Sequence, residues 1–344
     1  MTAEPHLYRL PAALPLENGA VLPHAQLAYH TYGTLNAARD NVVWVCHALT
    51  ANSDVLAWWP GLFGTGCYFN PEEHFIVCAN ILGSCYGSTG PLSPHPDTET
   101  PWFQAFPLLT IRDLVAAHEQ LRRHLGIERI HTLIGGSMGG QQALEWAVQQ
   151  PTLFENLVVL ATNARHSPWG IAFNEAQRLA IFADDTYYAA TPDGGAAGMR
   201  AARATALLSY RSYGAYQQTQ AEPTDDQLTD FRASAYQQYQ GDKLVARFNA
   251  YTYVALSRTM DTHHLGRGRG GELAPVLAGI QARTLVVSIS SDVLFPPAEQ
   301  RLLARHIPGA MYAEMESGFG HDGFLIETAQ ITHFLERFFA RAFV

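Results

Sequence analysis

His131-Thr-Leu-Ile-Gly-Gly-Ser-Met-Gly-Gly-Gln-Gln-Ala-Leu-Glu-Trp-Ala147 is an apolar run, then a serine between pairs of glycines, then an amphipathic run. This order indicates a strand that turns abruptly into a helix. Its centre, Gly135-Gly-Ser-Met-Gly139, matches the G-x-S-x-G pattern, in which a tight turn lifts the serine hydroxyl clear of a sheet. A Cβ at Gly135 or Gly139 would clash where strand and helix approach each other. The pattern predicts Ser137 as a nucleophile, with an ordinary glycine-rich turn as the alternative.

Apolar and amphipathic runs alternate along most of the chain. Between the apolar runs, residues 111–125 have the clearest helical spacing, with a capping-box start at Thr110 and Asp113 and a stop at Gly126. Such alternation predicts an α/β fold, with a mostly parallel central sheet and helices on both faces. Antiparallel strands are expected before it, around residues 25–31. The predicted buried strands are residues 42–46, 75–80, 131–134, 157–161, 284–288 and 311–315.

The alternation stops between residues 166 and 275. This segment is rich in Ala, Gln and Tyr, has helical spacing and ends in a glycine-rich stretch at residues 266–271. Because strands resume at Thr284, we expect a helical lid inserted into a core domain. The predicted division is residues 1–165 and 276–344 for the core and residues 166–275 for the lid. The Tyr- and Gln-rich stretches could also form a dimer surface.

A serine nucleophile needs a base and an acid that orients the base. In the α/β-hydrolase arrangement these follow the serine in the order acid, then histidine. Asp292 ends a predicted strand, and His321 lies on a glycine-flanked loop after it. The sequence therefore predicts the triad Ser137, Asp292 and His321. The rival candidates for the acid are Asp184, Asp185 and Asp261, but they lie in the insertion.

An oxyanion formed at the serine would need two backbone N–H donors. Met138, directly after the nucleophile, is predicted to supply one. Leu49, in the stretch His47-Ala-Leu-Thr-Ala51 after a predicted strand, is predicted to supply the other. We interpret His47 as a residue that fixes this loop and not as a catalyst.

Composition excludes several classes of partner. The 344 residues are 47% hydrophobic and only 15% charged, which is typical of a globular protein with a large core. A formal net charge of -9 argues against nucleic acid or an anionic membrane as a partner. No apolar run reaches the roughly 18 residues that span a bilayer, and no secretory signal is recognisable. All 4 cysteines lie between Cys46 and Cys85, two of them in predicted strands, which favours free thiols and a cytoplasmic location.

A metal site is not predicted. His118-Glu119 begins like the H-E-x-x-H motif of zinc proteases, but Arg122 occupies the place of the second histidine.

Six stretches together resemble the homoserine O-acetyltransferases of the α/β-hydrolase superfamily, and the resemblance covers nearly the whole chain. The stretches are residues 41–50, 80–91, 135–146, 171–175, 291–297 and 320–327. The resemblance implies an α/β-hydrolase fold and a homodimer whose helical lids form a tunnel to the serine. It also implies acyl transfer from an acyl-CoA to an amino-acid hydroxyl by double displacement, with acyl-CoA as a co-substrate and no cofactor. Acetyl-CoA and L-homoserine, as in methionine biosynthesis, are the expected substrates.

The resemblance also implies substrate-binding roles for Arg203, Tyr210 and Asp322. An amino acid needs a cation for its carboxylate and an anion for its ammonium group, and both contacts strengthen where water is excluded. Arg200 is close enough in sequence to compete with Arg203 for this assignment.

Residues 83–86 and Ala51 are positions at which relatives vary, and they bear on the choice of substrate. Succinyl-CoA as donor and L-serine as acceptor therefore remain alternatives. A serine esterase of the same fold, or a non-catalytic relative, would be a more distant one.

Overall fold

The computed structural model describes residues 4–340 and contains one large sheet. Eight strands form it in the order β1-β4-β6-β5-β7-β8-β9-β10, while β2 and β3 pair separately. β4 is antiparallel to both of its neighbours, and each pair from β6 to β10 is parallel. The predicted mostly parallel sheet is confirmed. The strands are β1 His6–Arg9, β2 Leu14–Pro15, β3 Val21–Leu22, β4 Gln26–Tyr32, β5 Val42–Cys46, β6 Phe75–Ala79, β7 Ile130–Gly136, β8 Phe154–Leu160, β9 Arg283–Ile289 and β10 Met311–Met315.

Helices connect the parallel strands, and two more follow the last strand. They are α1 Val55–Trp58, α2 Ile111–His124, α3 Met138–Gln149, α4 Pro168–Phe182, α5 Ala196–Tyr210, α6 Tyr213–Gln220, α7 Arg232–Val245, α8 Ala250–Asp261, α9 Leu273–Leu277, α10 Pro297–His306, α11 Gly323–Ile326 and α12 Thr328–Ala340. Short 3-10 turns occupy Phe103–Ala105, Asp185–Ala189 and Gly320–Asp322. No helix within residues 4–340 is long and apolar enough to cross a membrane.

The sheet is covered on both faces, as β5 illustrates. Its side chains alternate, so that Trp44 joins one apolar cluster with α2 and α3, and Val43 and Val45 join another with α12. Because both faces are buried, the strand reads as the continuous apolar run Val-Val-Trp-Val-Cys and not as an alternating one.

Helix α2 begins as its sequence indicates. The Thr110 side chain accepts from the Asp113 backbone N–H, and the Asp113 side chain accepts from the Thr110 backbone N–H, which completes a capping box. After the helix, Gly126 has a φ of 64°, a left-handed conformation that favours glycine.

Between β8 and β9 the chain leaves the sheet and forms helices α4 to α8. An antiparallel bridge between Arg165 and His264 brings the two ends of this excursion together. We call residues 166–275 the lid. Helix α5 of the lid packs on the 3-10 turn Gly320–Asp322, and Ser212 donates a hydrogen bond to the carbonyl of Gly318. The lid therefore contacts the loop that carries His321.

Candidate active site

Ser137 lies on a sharp turn between β7 and α3. Its φ of 56° is unusual for a residue with a side chain. A Cβ on Gly135 would lie 2.4 Å from the backbone of Gly139, and one on Gly139 would lie 2.0 Å from the Cys46 carbonyl oxygen. Both approaches are closer than any real Cβ allows, so only glycine lets the helix start so close to the strands.

The structure brings the three predicted triad residues together. His321 Nε2 lies 2.8 Å from Ser137 Oγ, and His321 Nδ1 lies 2.6 Å from Asp292 Oδ2. The other oxygen of Asp292 accepts from the backbone N–H groups of Leu294, at 2.8 Å, and Phe295, at 2.9 Å. Asp292 is therefore fixed by its own loop and can orient the histidine.

The hydrogen bonds determine which nitrogen of His321 carries the proton. An ionised carboxylate can only accept, so Nδ1 donates to Asp292 and Nε2 is left to accept from the Ser137 hydroxyl. Burial alone would lower the pKa of His321, but the charge of Asp292 and its hydrogen bond, with a contribution from Asp322, raise it above its ordinary value. A more basic imidazole is a better acceptor for the serine proton.

Of the two predicted oxyanion donors, one follows Ser137 in the sequence and the other lines the same cavity. Met138 is the first residue of α3, and the first N–H groups of a helix have no acceptor within it. Leu49 lines the same cavity as Ser137 and His321.

His47 fixes the loop that contains Leu49. Its Nε2 accepts from the Ile81 N–H at 3.0 Å, so its Nδ1 carries the proton and donates to the Ala48 carbonyl at 2.9 Å. Burial lowers the pKa of His47 to about 4, which keeps the ring neutral. Because the peptide is trans, holding the Ala48 carbonyl on one side directs the Leu49 N–H to the opposite side.

A cavity of about 620 Å³ opens above Ser137. All three residues predicted to bind substrate line it, together with two positions expected to bear on the choice of substrate. These residues are Arg203, Tyr210, Asp322, Ala51 and Tyr86.

The structure distinguishes Arg203 from Arg200. Arg203 faces the cavity with its guanidinium carbon 5.3 Å from the centre of the Tyr210 ring, and its buried Nε has no hydrogen-bond partner among the described residues. Arg200 instead pairs with Asp242 at 2.5 Å on the exposed side of the lid.

Asp322 has a partner that the sequence did not predict. Arg211 Nε lies 3.1 Å from Asp322 Oδ2, and both side chains are largely buried. Burial raises the pKa of Asp322 above its ordinary value, against the opposing charges of Arg211, Arg203 and His321. Arg211 directly follows Tyr210 at the end of α5, so adjacency to a predicted site residue was the only available signal.

Two further cations lie at the mouth of the cavity. Arg247 Nη1 donates to the Thr50 carbonyl at 2.6 Å and to the Tyr86 hydroxyl at 2.5 Å. Lys243, in the last turn of α7 and four residues before Arg247, is exposed and lines the same opening. Within residues 4–340, no group of three or more His, Cys, Asp or Glu side chains could hold a metal ion.

Comparisons with known proteins agree with this geometry. Residues 41–328 match the α/β-hydrolase fold family. The chain is 48% identical to a homoserine O-acetyltransferase of Cyclobacterium marinum, over 95% of this chain and 93% of that protein. The chain belongs to the homoserine O-acetyltransferase family. A second homoserine O-acetyltransferase, from Chlorobium luteolum, is 45% identical over 94% of this chain and 90% of that protein.

Solved structures show how widely the family's fold is used. A homoserine O-acetyltransferase of Staphylococcus aureus matches with a TM-score of 0.80 and 30% identity, over 96% of this chain and 94% of that one. An acetylester hydrolase of Corynebacterium glutamicum matches with a TM-score of 0.87 and 25% identity, over 98% of this chain and 96% of that one. The predicted family and fold are confirmed, but the fold alone does not distinguish transfer to an amino acid from transfer to water.

Proposed function

We propose that the protein transfers an acetyl group from acetyl-CoA to the side-chain hydroxyl of L-homoserine, as in methionine biosynthesis, through an acetyl ester on Ser137. The observation that carries the proposal is that the chain Ser137–His321–Asp292 opens into a cavity that also holds a cation and an anion, Arg203 and Asp322. A hydrolase needs only the first of these features, whereas an amino-acid acceptor needs both. Membership of the homoserine O-acetyltransferase family supports this choice.

In the first half-reaction, Ser137 Oγ attacks the thioester carbonyl while His321 Nε2 takes its proton. The N–H groups of Leu49 and Met138 stabilise the oxyanion of the tetrahedral intermediate. The carbon–sulfur bond then breaks, and His321 gives the proton to the departing thiolate. Free CoA leaves, and the acetyl group remains on Ser137.

In the second half-reaction, the acceptor hydroxyl occupies the place that the thiol has left. His321, again neutral and oriented by Asp292, removes the hydroxyl proton as the oxygen attacks the ester. The same two N–H groups stabilise the second oxyanion, and Ser137 regains its proton when the product forms. The acceptor competes with water because the lid and the binding residues hold it close to the ester.

Arg203 and Asp322 are proposed to hold the two charges of the acceptor, with Tyr210 packed against the guanidinium of Arg203. The buried Arg203 Nε, which has no hydrogen-bond partner among residues 4–340, supports a role for this side chain in binding a carboxylate. The acceptor's ammonium group would share or replace the contact of Arg211 with Asp322. Recognition of both charges would exclude simple alcohols.

The mouth of the cavity suits an acyl-CoA. Lys243 and Arg247 place two positive charges there, while the protein as a whole has a formal net charge of -9. Exposed cations at the end of α7 and just after it can contact the phosphates of CoA while its thioester reaches Ser137. We therefore propose that the donor enters past α7.

Mass spectrometry of the Ser137 peptide tests the covalent step and the donor together. After mixing with acetyl-CoA alone, the peptide should gain the mass of one acetyl group, and Ser137→Ala should gain none. A larger gain with succinyl-CoA than with acetyl-CoA would contradict the proposed donor. Comparing L-homoserine with L-serine as the compound that removes the label identifies the acceptor.

Initial rates test the order of the steps. At several fixed acceptor concentrations, plots of reciprocal rate against reciprocal acetyl-CoA should be parallel, and CoA should appear in a burst without acceptor. Intersecting lines without a burst would mean direct transfer in a ternary complex. Acetate formed faster than O-acetylhomoserine at saturating homoserine would instead favour an esterase.

A homodimer formed through the lids and a cytoplasmic location complete the proposal. Several large apolar side chains of the lid are exposed in the single chain, which supports a partner there. They are Leu179, Leu208, Tyr213, Leu228, Phe231 and Tyr239.

Free thiols at Cys46 and Cys78 support a reducing compartment and therefore a cytoplasmic location. Sedimentation of a monomer at micromolar concentration would contradict the dimer, and fractionation of the source cells would test the location.

A further inference from the structure

Gln142 joins the two segments that carry the proposed oxyanion donors. Its side chain is fully buried on α3, one turn after Met138. The amide nitrogen donates to the Met138 carbonyl at 3.1 Å and to the His47 carbonyl, also at 3.1 Å. One side chain thus ties the first turn of the helix to the loop that leads to Leu49.

His118 determines which way the Gln142 amide points. Both N–H groups of the amide are used on carbonyls, so its oxygen is the atom that lies 3.0 Å from His118 Nε2. That oxygen can only accept, so Nε2 must carry the proton. Burial lowers the pKa of His118 to about 4 and keeps the ring neutral. The ring is itself held by stacking on Trp146 and by an edge contact with Trp44.

We propose that Gln142, oriented by His118, is a positioning residue that sets the separation of the Leu49 and Met138 N–H groups. The inference rests on the proposed function, since it assumes that these two groups stabilise the oxyanion. A flipped amide would place its oxygen against the His47 and Met138 carbonyl oxygens and its N–H groups against the His118 Nε2 proton, so both contacts oppose that arrangement. The donors are thereby fixed before any substrate arrives, as efficient stabilisation of an oxyanion requires.

Gln141 provides a matched control. It is the adjacent glutamine of α3, is equally buried, and donates to Asn163 Oδ1 at 3.0 Å instead of to the oxyanion segments. Gln142→Met and Gln141→Met therefore remove the same group from neighbouring buried positions. A general packing defect would affect both variants, whereas a positioning defect would affect only Gln142→Met.

The test measures two rates, that of acetyl transfer and that of Ser137 labelling by a fluorophosphonate. The labelling reaction forms an oxyanion but needs neither acyl-CoA nor acceptor. Gln142→Met should slow labelling and lower kcat by about tenfold to a hundredfold, less than removal of a donor itself. The KM values should stay within about threefold because ground-state binding is unaffected. Wild-type rates in Gln142→Met, or equal losses in both variants, would overturn the inference. If labelling slows while homoserine is not used, the inference stands and the proposed acceptor fails.

A measurement on the unmodified protein covers the case in which Gln142→Met does not fold. Nitrogen-15 NMR of the histidine rings should show His118 protonated at Nε2 only, without titration between pH 5.5 and 8, while a proton on Nδ1 would overturn the assignment. His118→Gln, which keeps an N–H donor, should retain more labelling rate than His118→Leu. Equal rates in these two variants would contradict the role given to the donor.

Discussion

The φ of Ser137 is 56°, and its hydroxyl lies 2.8 Å from His321 Nε2. The unusual backbone persists because β7, α3 and the adjacent glycines allow no other path for the chain. Its consequence is a hydroxyl raised into the cavity beside a base that is already aligned. Most of the proposed chemistry therefore depends on one side chain with few other contacts.

Ser137→Ala should lower acetyl transfer by about 10⁴-fold or more, because the covalent intermediate can no longer form. The melting temperature should change little, since the substitution removes one hydroxyl from a cavity wall. The check is steady-state turnover together with a thermal melt. More than a tenth of wild-type activity in a correctly folded variant would refute the nucleophile.

Arg203→Ala and Asp322→Asn should each weaken use of homoserine by about 2–3 kcal/mol in kcat/KM, the scale of a lost charged hydrogen bond. Acetylation of Ser137 by acetyl-CoA should be affected less. Arg200→Ala, on the exposed face of the same helix, is the matched control and should behave as wild type. A normal kcat/KM for homoserine in both cavity variants would remove them from the acceptor site.

The rate of Ser137 acetylation should fall at low pH as His321 becomes protonated, because only the neutral ring accepts the serine proton. The acid limb of the pH profile therefore reflects the pKa of His321. The charges of Asp292 and Asp322 raise the pKa of this ring, so activity falls at a higher pH than for an ordinary histidine. Asp322→Asn removes one of these charges and should move the limb to lower pH. The burst rate with acetyl-CoA, measured across pH, tests the direction. An unchanged limb or a shift to higher pH would contradict it.

The sequence predicted the site as far as local pattern and chain order carry information. Ser137, Asp292 and His321 were found through a motif and an order of residues, and the structure brings them together. Gln142 and Arg211 were missed because their partners are remote along the chain. The hydrogen bond from Gln142 to His47 spans 95 residues, and no periodicity records such a contact.

At the scale of elements, the predicted bounds of β5 and β10 match the structure, while β7 is longer at both ends than predicted. The extension includes Gly135 and Gly136, which pair with β8 although glycine does not favour strands. Sheet hydrogen bonds to neighbours override a local preference, and the sequence alone does not show those neighbours. Residues 1–3 and 341–344, which belong to the predicted core domain, lie outside the described residues.

Gly139→Ala should destabilise the protein severely, because its Cβ would lie 2.0 Å from the Cys46 carbonyl oxygen, where backbone meets backbone. A loss of about 3 kcal/mol or more in the free energy of unfolding is expected, or failure to fold. Gly214→Ala, in α6, meets only the Ser212 hydroxyl at 3.6 Å and serves as the control. It should be neutral or slightly stabilising. Chemical denaturation of both variants checks the contrast, and equal stabilities would refute the close approach.

The whole molecule contains several buried neutral histidines, and together they affect its stability towards acid. Burial lowers the pKa of His47, His118 and His166 to about 4 and that of His263 to about 3, from 6.5. The unfolded chain therefore binds more protons than the folded one between these values. Stability from this source is complete above about pH 6.5 and is lost as the pH falls towards 4.

The melting temperature should accordingly fall between pH 6.5 and 4.5, with proton uptake on unfolding. His263→Gln keeps a donor for the Asn163 carbonyl but cannot titrate, so it should lower that uptake by about one proton. His333→Gln, which makes the same substitution at an exposed position of α12, is the matched control. Identical pH dependence in all three proteins would show that the buried ring does not titrate as described.

The pairing of Arg211 with Asp322 affects how much free energy the proposed binding of an amino acid would release. Without an acceptor, the carboxylate already has a counterion within the protein, so the fold does not have to tolerate a lone buried charge. In the proposed mode of binding, the ammonium group of an amino acid would replace this ionic contact of Asp322 by another. Binding at this point would then be an exchange, which yields less free energy than forming a new pair, and the resulting moderate affinity would allow the product to leave after each turnover.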